Sequence, residues 1–122
     1  NDTSPNKSKH RIILLVRPRK GYMTGQERVN KIRDMQIFDT VRDVWDDVVR
    51  VTETSDMNLP NAGISDIAMK QLEEINVTHL IHCAADVGFT KTLGELASVN
   101  ISSSLHLQKL ANQWESCKRM VY

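Results

Sequence analysis

Apolar residues fall along the chain in short blocks whose spacing switches between that of strands and that of helices. Residues 11–16, Arg-Ile-Ile-Leu-Leu-Val, are a nearly continuous apolar run rich in β-branched side chains. Runs of this kind suit a strand covered on both faces in a parallel sheet, and Pro18 and Gly21 close it. Thr24-Gly-Gln-Glu27 has the spacing of a capping box, with Thr24 as N-cap and Glu27 reaching back. Val29, Ile32 and Met35 supply one face of the helix that follows, and Phe38, Val41, Val44 and Trp45 continue at helical spacing as a second short helix. Residues 48–52 predict the next strand, and 57–63, with Pro60 and Gly63, predict a loop. Ser65 can cap a helix to about residue 75, with Ala68, Leu72 and Ile75 facing inward. A third strand is expected over 77–83, followed by the small pair Ala84 and Ala85. From 93 to about 114 the pattern is helical again, through Leu96, Ala97, Leu107, Leu110 and Ala111, and residues 119–122 open a fourth strand.

Strands alternating with helices at this spacing imply βαβ units and a mainly parallel sheet, an α/β fold. Residues 1–10 are a polar loop without a hydrophobic signal region. Composition narrows the picture by exclusion. Lys and Arg number 16 against 15 for Asp and Glu, so charge gives no reason to expect nucleic acid. No apolar run approaches the ~20 residues that cross a bilayer. Cys83 and Cys117 lack CxxC spacing and read as reduced structural thiols.

Ligands of open parallel sheets bind beyond the carboxyl ends of the strands, which selects three segments. After the first strand comes Arg17-Pro-Arg19-Lys20, a positive cluster. A guanidinium there can hold the 2′-phosphate of NADP through two parallel hydrogen bonds; a solvated basic loop is the plainer alternative. After the second comes Asp56-Met57, where a carboxylate can accept from an adenine amino group and the next side chain can pack on the ring. After the third, Ala84-Ala-Asp-Val-Gly88 offers small side chains where a cofactor could approach the backbone. Asn100 lies inside a predicted helix, where its propensity is poor. It could bond across to the sheet, hold a water near an active site, or simply be exposed. A metal site is not expected, because His79 and His82, three apart in a strand, point to opposite faces.

Several blocks together resemble a known family. Ile13-Leu-Leu-Val-Arg-Pro-Arg-Lys-Gly21, followed by Glu27-Arg28, is similar to the second strand and following loop of alcohol-forming fatty acyl-CoA reductases. Ile37-Phe-Asp39, Ser55-Asp-Met-Asn-Leu-Pro-Asn-Ala-Gly-Ile-Ser65, His82-Cys-Ala-Ala-Asp-Val-Gly-Phe89 and Val99-Asn100 resemble later segments, in the family's order and spacing over 11–122. The resemblance implies a Rossmann-type, doubly wound parallel sheet, present here in part, without its first strand and glycine-rich turn. Residues 11–122 are then an incomplete NADP-binding domain.

It further implies NADPH as hydride donor and reduction of a long-chain acyl-CoA through an aldehyde to a primary alcohol. By the same resemblance Arg17, with Arg19 beside it, would hold the NADPH phosphate, and Asp56 and Met57 would contact adenine. Ala84, Ala85 and Val87 would line the ribose and nicotinamide, and Asn100 would support a proton relay. A thioester reductase domain of a carboxylic acid reductase or peptide synthetase, and a non-catalytic NADP-binding protein, share these blocks. Ser55 departs from the family's Gly. The Thr-Gly-x-x-Gly turn, the catalytic Ser and the Tyr-x-x-x-Lys pair are not among the 122 residues, so the chain alone is expected to be inactive. The resemblance also implies an intracellular protein at the peroxisomal or endoplasmic reticulum membrane, attached through other regions, and is compatible with a homodimer.

Overall fold

The computed structural model describes residues 10–18, 24–84 and 88–122. Its elements divide into two compact units, 1–53 and 54–122.

In the first unit, β1 (Ile12–Val16) pairs in parallel with β2 (Val49–Glu53), Ile12 opposite Val49 and Val16 opposite Glu53. Helix α1 (Gly25–Arg33) begins where the capping box predicts: Glu27 N donates to Thr24 Oγ1 and Thr24 N to Glu27 Oε2, each at 3.1 Å. Gly25 lets that end sit directly on the strands, since a Cβ there would lie 3.1 Å from the Val16 carbonyl oxygen and 3.0 Å from Glu53 Cγ. The other end is closed by Arg42, whose guanidinium donates to the carbonyls of Arg33 (3.1 Å) and Met35 (3.0 Å) and pairs with Asp39. The Arg33 carbonyl is one the helix itself leaves without a donor, while that of Met35 also accepts from Phe38 N at 3.0 Å. The second helical block is a 3₁₀ turn (Gln36–Phe38) followed by α2 (Arg42–Val48). The Phe38 and Trp45 rings meet edge to face at 5.1 Å, the arrangement aromatic quadrupoles favour. Of the three residues expected on the inner face of α1, Val29 is buried while Ile32 and Met35 are largely exposed. The helix ends at Arg33, which takes Met35 out of register.

In the second unit an antiparallel bridge between Thr54 and Ile64 closes a loop containing a 3₁₀ turn (Pro60–Gly63). Ser65 caps α3 (Asp66–Ile75) through Ala68 N at 3.2 Å, as expected, and Asn76 ends it in the left-handed conformation. β3 (His79–Ile81) is shorter than the expected strand and pairs in parallel with β4 (Arg119–Val121). Between them the helix of 93–113 is not uniform: α4 (Leu93–Ala97) passes through a π-turn (Ser98–Ser102) into α5 (Ser103–Gln113). The core of this unit is Ala62, Ile64, Leu72, Leu80, Leu107 and Leu110, with buried Thr54 and Ser103. All paired strands are parallel and follow helical connections, an α/β arrangement of partial Rossmann type.

Candidate cofactor-binding site

At the carboxyl edge of the first unit, Arg17 follows β1 directly and is exposed. Its carbonyl accepts a hydrogen bond from the Arg28 guanidinium, which the first turn of α1 carries to the same edge. Three ion pairs among the described residues lie elsewhere in this unit. Arg33 lies 3.1 Å from Asp34 and 3.5 Å from Asp46, and Arg42 lies 2.5 Å from Asp39. The hydrogen bond to Asp34 pushes the Arg33 guanidinium above its ordinary pKa, with desolvation acting in the opposite sense. Among the described residues Arg17 and Arg28 have no carboxylate partner. Glu53, the nearby acid, is engaged on Gly25 N at 2.5 Å. Together with Thr24 it closes the N-terminus of α1, so an anion at this edge would be met by guanidinium groups. In the sequence Arg28 stands out only as part of the Glu27-Arg28 pair. Its helical spacing from Thr24 could have placed it in the first turn, but not against the Arg17 carbonyl. Arg19 lies outside the described residues.

In the second unit the 54–64 loop fixes Asp56 and Met57. Gly63 has φ +69°, and a Cβ on it would lie 2.6 Å from Asp56 N, so the backbones touch as only glycine allows. Asp56 Oδ1 accepts from Asn58 N at 2.9 Å, which engages one of its two oxygens inside the loop. Asn58 Oδ1 is buried without a partner among the described residues, so the loop keeps an acceptor for a donor such as an exocyclic amine. Met57 is half-buried, and its carbonyl accepts a long hydrogen bond, 3.4 Å, from His106 Nδ1 on α5. Ser55 donates to the Gly63 carbonyl from both its backbone nitrogen and its hydroxyl, at 3.2 Å each. Its φ is not positive, so serine stands there without backbone strain.

Ala84 is exposed just beyond β3, as a residue approached by a cofactor must be; Ala85 and Val87 lie outside the described residues. Asn100 sits in the middle of the π-turn, exposed at its surface, with its carbonyl bonded by Ser104 Oγ at 2.9 Å. Nothing in the spacing of 93–114 signals a π-turn. A cleft of about 230 Å³, lined by Leu72, Asn76, Trp114 and Ser116 among others, lies at the amino ends of β3 and β4. That is the wrong end of the strands for a ligand of this fold. Among the described residues no group of three or more His, Cys, Asp or Glu side chains could hold a metal, and no helix is long and apolar enough to cross a membrane.

The sequence profile of the NAD-binding family described as male sterility protein matches residues 4–122. The chain belongs to this family. Relatives include fatty acyl-CoA reductase 1 of Gallus gallus, 32% identical over 105 residues, which cover 84% of this chain and 20% of that protein. Fatty acyl-CoA reductase 2 of Homo sapiens is 32% identical over 114 residues, 91% of this chain and 22% of its own length. The mouse fatty acyl-CoA reductase 1 is 29% identical over 107 residues, 86% of this chain. The chain thus spans about a fifth of the curated relatives it matches. An NAD-binding domain of the male sterility family takes a nicotinamide dinucleotide. Within the first unit Arg17 and Arg28, and within the second the retained acceptor of the 54–64 loop and exposed Ala84, are each compatible with contact to such a ligand.

Proposed function

We propose that this chain is cofactor-binding sequence of an NADPH-dependent fatty acyl-CoA reductase that forms primary fatty alcohols. The observation that carries NADPH over NADH is the pair Arg17 and Arg28 at the carboxyl end of β1, held together by a side-chain to backbone hydrogen bond and lacking acidic partners among the described residues. An acid free to bind a ribose 2′-hydroxyl would favour NADH, and Glu53 is held by Gly25 instead. The names of the relatives support a fatty acyl-CoA reductase rather than a thioester reductase domain of another enzyme.

When bound, the reduced cofactor supplies hydride: two equivalents, with two protons, convert the thioester through an aldehyde to the alcohol and release the CoA thiol. The residues of this chain act by holding and orienting. Arg17 and Arg28 bind the 2′-phosphate, Asp56 and Met57 take the adenine, and Ala84 leaves room for close approach. Asn100 orders the proton-supplying groups, which lie in other sequence of the enzyme. The 122-residue chain by itself contains no Tyr-x-x-x-Lys and is expected to turn over no substrate.

The test is to assay the full natural polypeptide that carries these residues with a long-chain acyl-CoA and either dinucleotide, identifying products by gas chromatography. Fatty alcohol formed with NADPH, and a Michaelis constant for NADPH that rises at least tenfold in Arg17→Ala/Arg28→Ala while that for NADH hardly moves, is the expected result. Each lost charge-assisted hydrogen bond is worth about 1.5–3 kcal/mol. Equal use of NADH, or aldehyde as the sole product, would overturn the corresponding part of the proposal.

A further inference from the structure

We infer that Ser104 is a positioning residue for Asn100, its hydroxyl fixing the carbonyl of the wide turn in which Asn100 is presented; this rests on the reading of Asn100 as a residue of the reductase site. In an α-helix the carbonyl of residue i is bonded by the N–H of residue i+4. A π-turn moves the donor to i+5, and such turns are rare, single and concentrated at functional sites. Here the π-turn spans Ser98–Ser102 inside an otherwise α-helical stretch, with Asn100 at its centre.

Two hydroxyls of the next turn reach back into it. Ser103 Oγ donates to the Val99 carbonyl and Ser104 Oγ to the Asn100 carbonyl at 2.9 Å. Both are i to i−4 side-chain bonds, the kind that widens or bends a helix. They divide the work by position. Ser103 is buried with Leu107 and Leu110 on the core face and anchors the turn. Ser104 is only half-buried and touches Asn100 itself. The bond fixes the stretch of backbone from which the Asn100 side chain projects. A displacement near 1 Å in a group that orders reactants can cost about 10²-fold in rate, so a hydroxyl at 104 matters for turnover more than for folding.

The experiment uses the full natural polypeptide, with Ser104→Ala, Ser104→Thr, Ser104→Val, Asn100→Ala and the double variant Asn100→Ala/Ser104→Ala. Readouts are kcat, the KM for NADPH and the thermal midpoint. Ser104→Ala should lower kcat about tenfold with KM little changed. Thr, which keeps the hydroxyl, should restore kcat to within about twofold, and its isostere Val should not. The double variant should be no slower than Asn100→Ala alone, because Ser104 acts through that residue. Equal activity of the Thr and Val variants, or losses that multiply in the double variant, would overturn the inference even if Ser104→Ala is unstable. An active wild type with an unimpaired Asn100→Ala removes both residues from the site while leaving the functional reading intact. A wild type that reduces no acyl-CoA ends both.

Discussion

Two irregular pieces of backbone in the second unit carry candidate residues, and they are held in opposite ways. The 54–64 loop is overwound: Asn61, Ala62 and Gly63 all have positive φ, at 57°, 55° and 69°. Left-handed conformations cost non-glycine residues about 1–2 kcal/mol each. The cost is met by burial, since Ala62 and Ile64 are in the core and α5 packs on the turn. Thr54, 2% exposed, adds a hydroxyl bond to the Ala62 carbonyl. The 98–102 turn is underwound, contains no core residue, and is held by side-chain hydroxyls. A strained turn sealed in the core has one geometry. One held by side-chain hydroxyls, one buried and one half-buried, can be retuned by single substitutions at little cost in stability.

Substitutions should separate the two regimes. Gly63→Ala is expected to do most damage, about 3 kcal/mol or more, because it adds left-handed strain to a backbone collision with Asp56. Urea denaturation of the chain would show a lowered midpoint at unchanged slope; a loss under about 1 kcal/mol would mean the loop relaxes freely and the contrast is false. Thr54→Val keeps the shape and removes the hydroxyl, leaving the buried Ala62 carbonyl without that donor, so about 1–3 kcal/mol should be lost. Thermal unfolding followed by far-UV circular dichroism would measure it.

Ser103→Ala, the corresponding deletion at the π-turn, should cost no more than about 1 kcal/mol. Alanine recovers helix propensity, and the freed carbonyl can return to α-helical bonding. Amide hydrogen exchange over 98–104 should slow as the turn tightens; unchanged exchange would show that the serine does not hold the turn open. The smallest effect belongs to Asn61→Gly, within about 0.5 kcal/mol, since relief of the left-handed cost is offset by greater freedom of the unfolded chain. A midpoint moved by several degrees in either direction would sink that balance.

Much of the architecture was legible because its signals are local. The Thr24 capping box, the Ser65 cap and the β-branched run of β1 appear where spacing and residue type place them, and the strand expected over 48–52 lies one residue on, at 49–53. Legibility failed where a neighbour distant in sequence decides. Ile32 and Ile75 have helical spacing yet are largely exposed, because a period says which side of a helix is apolar but not how much packs against it. The site divides in the same way. Arg17 and Asp56 are candidates by the rule that ligands meet strand carboxyl ends. Arg28 and Asn58 depend on where a guanidinium and an amide come to rest across a loop.

By itself, then, the sequence determined the alternation of strands and helices, the helix starts and the family, since each rests on residue types a few positions apart. Only the tertiary structure decided that Gly25 and Gly63 are required by close backbone approach, that Glu53 accepts from the first turn of a helix, and that the helix carrying Asn100 opens into a π-turn. The physical reason is common to all three: each depends on which groups compete for the same donor or the same space, and those competitors are brought together by folding rather than by adjacency in the chain.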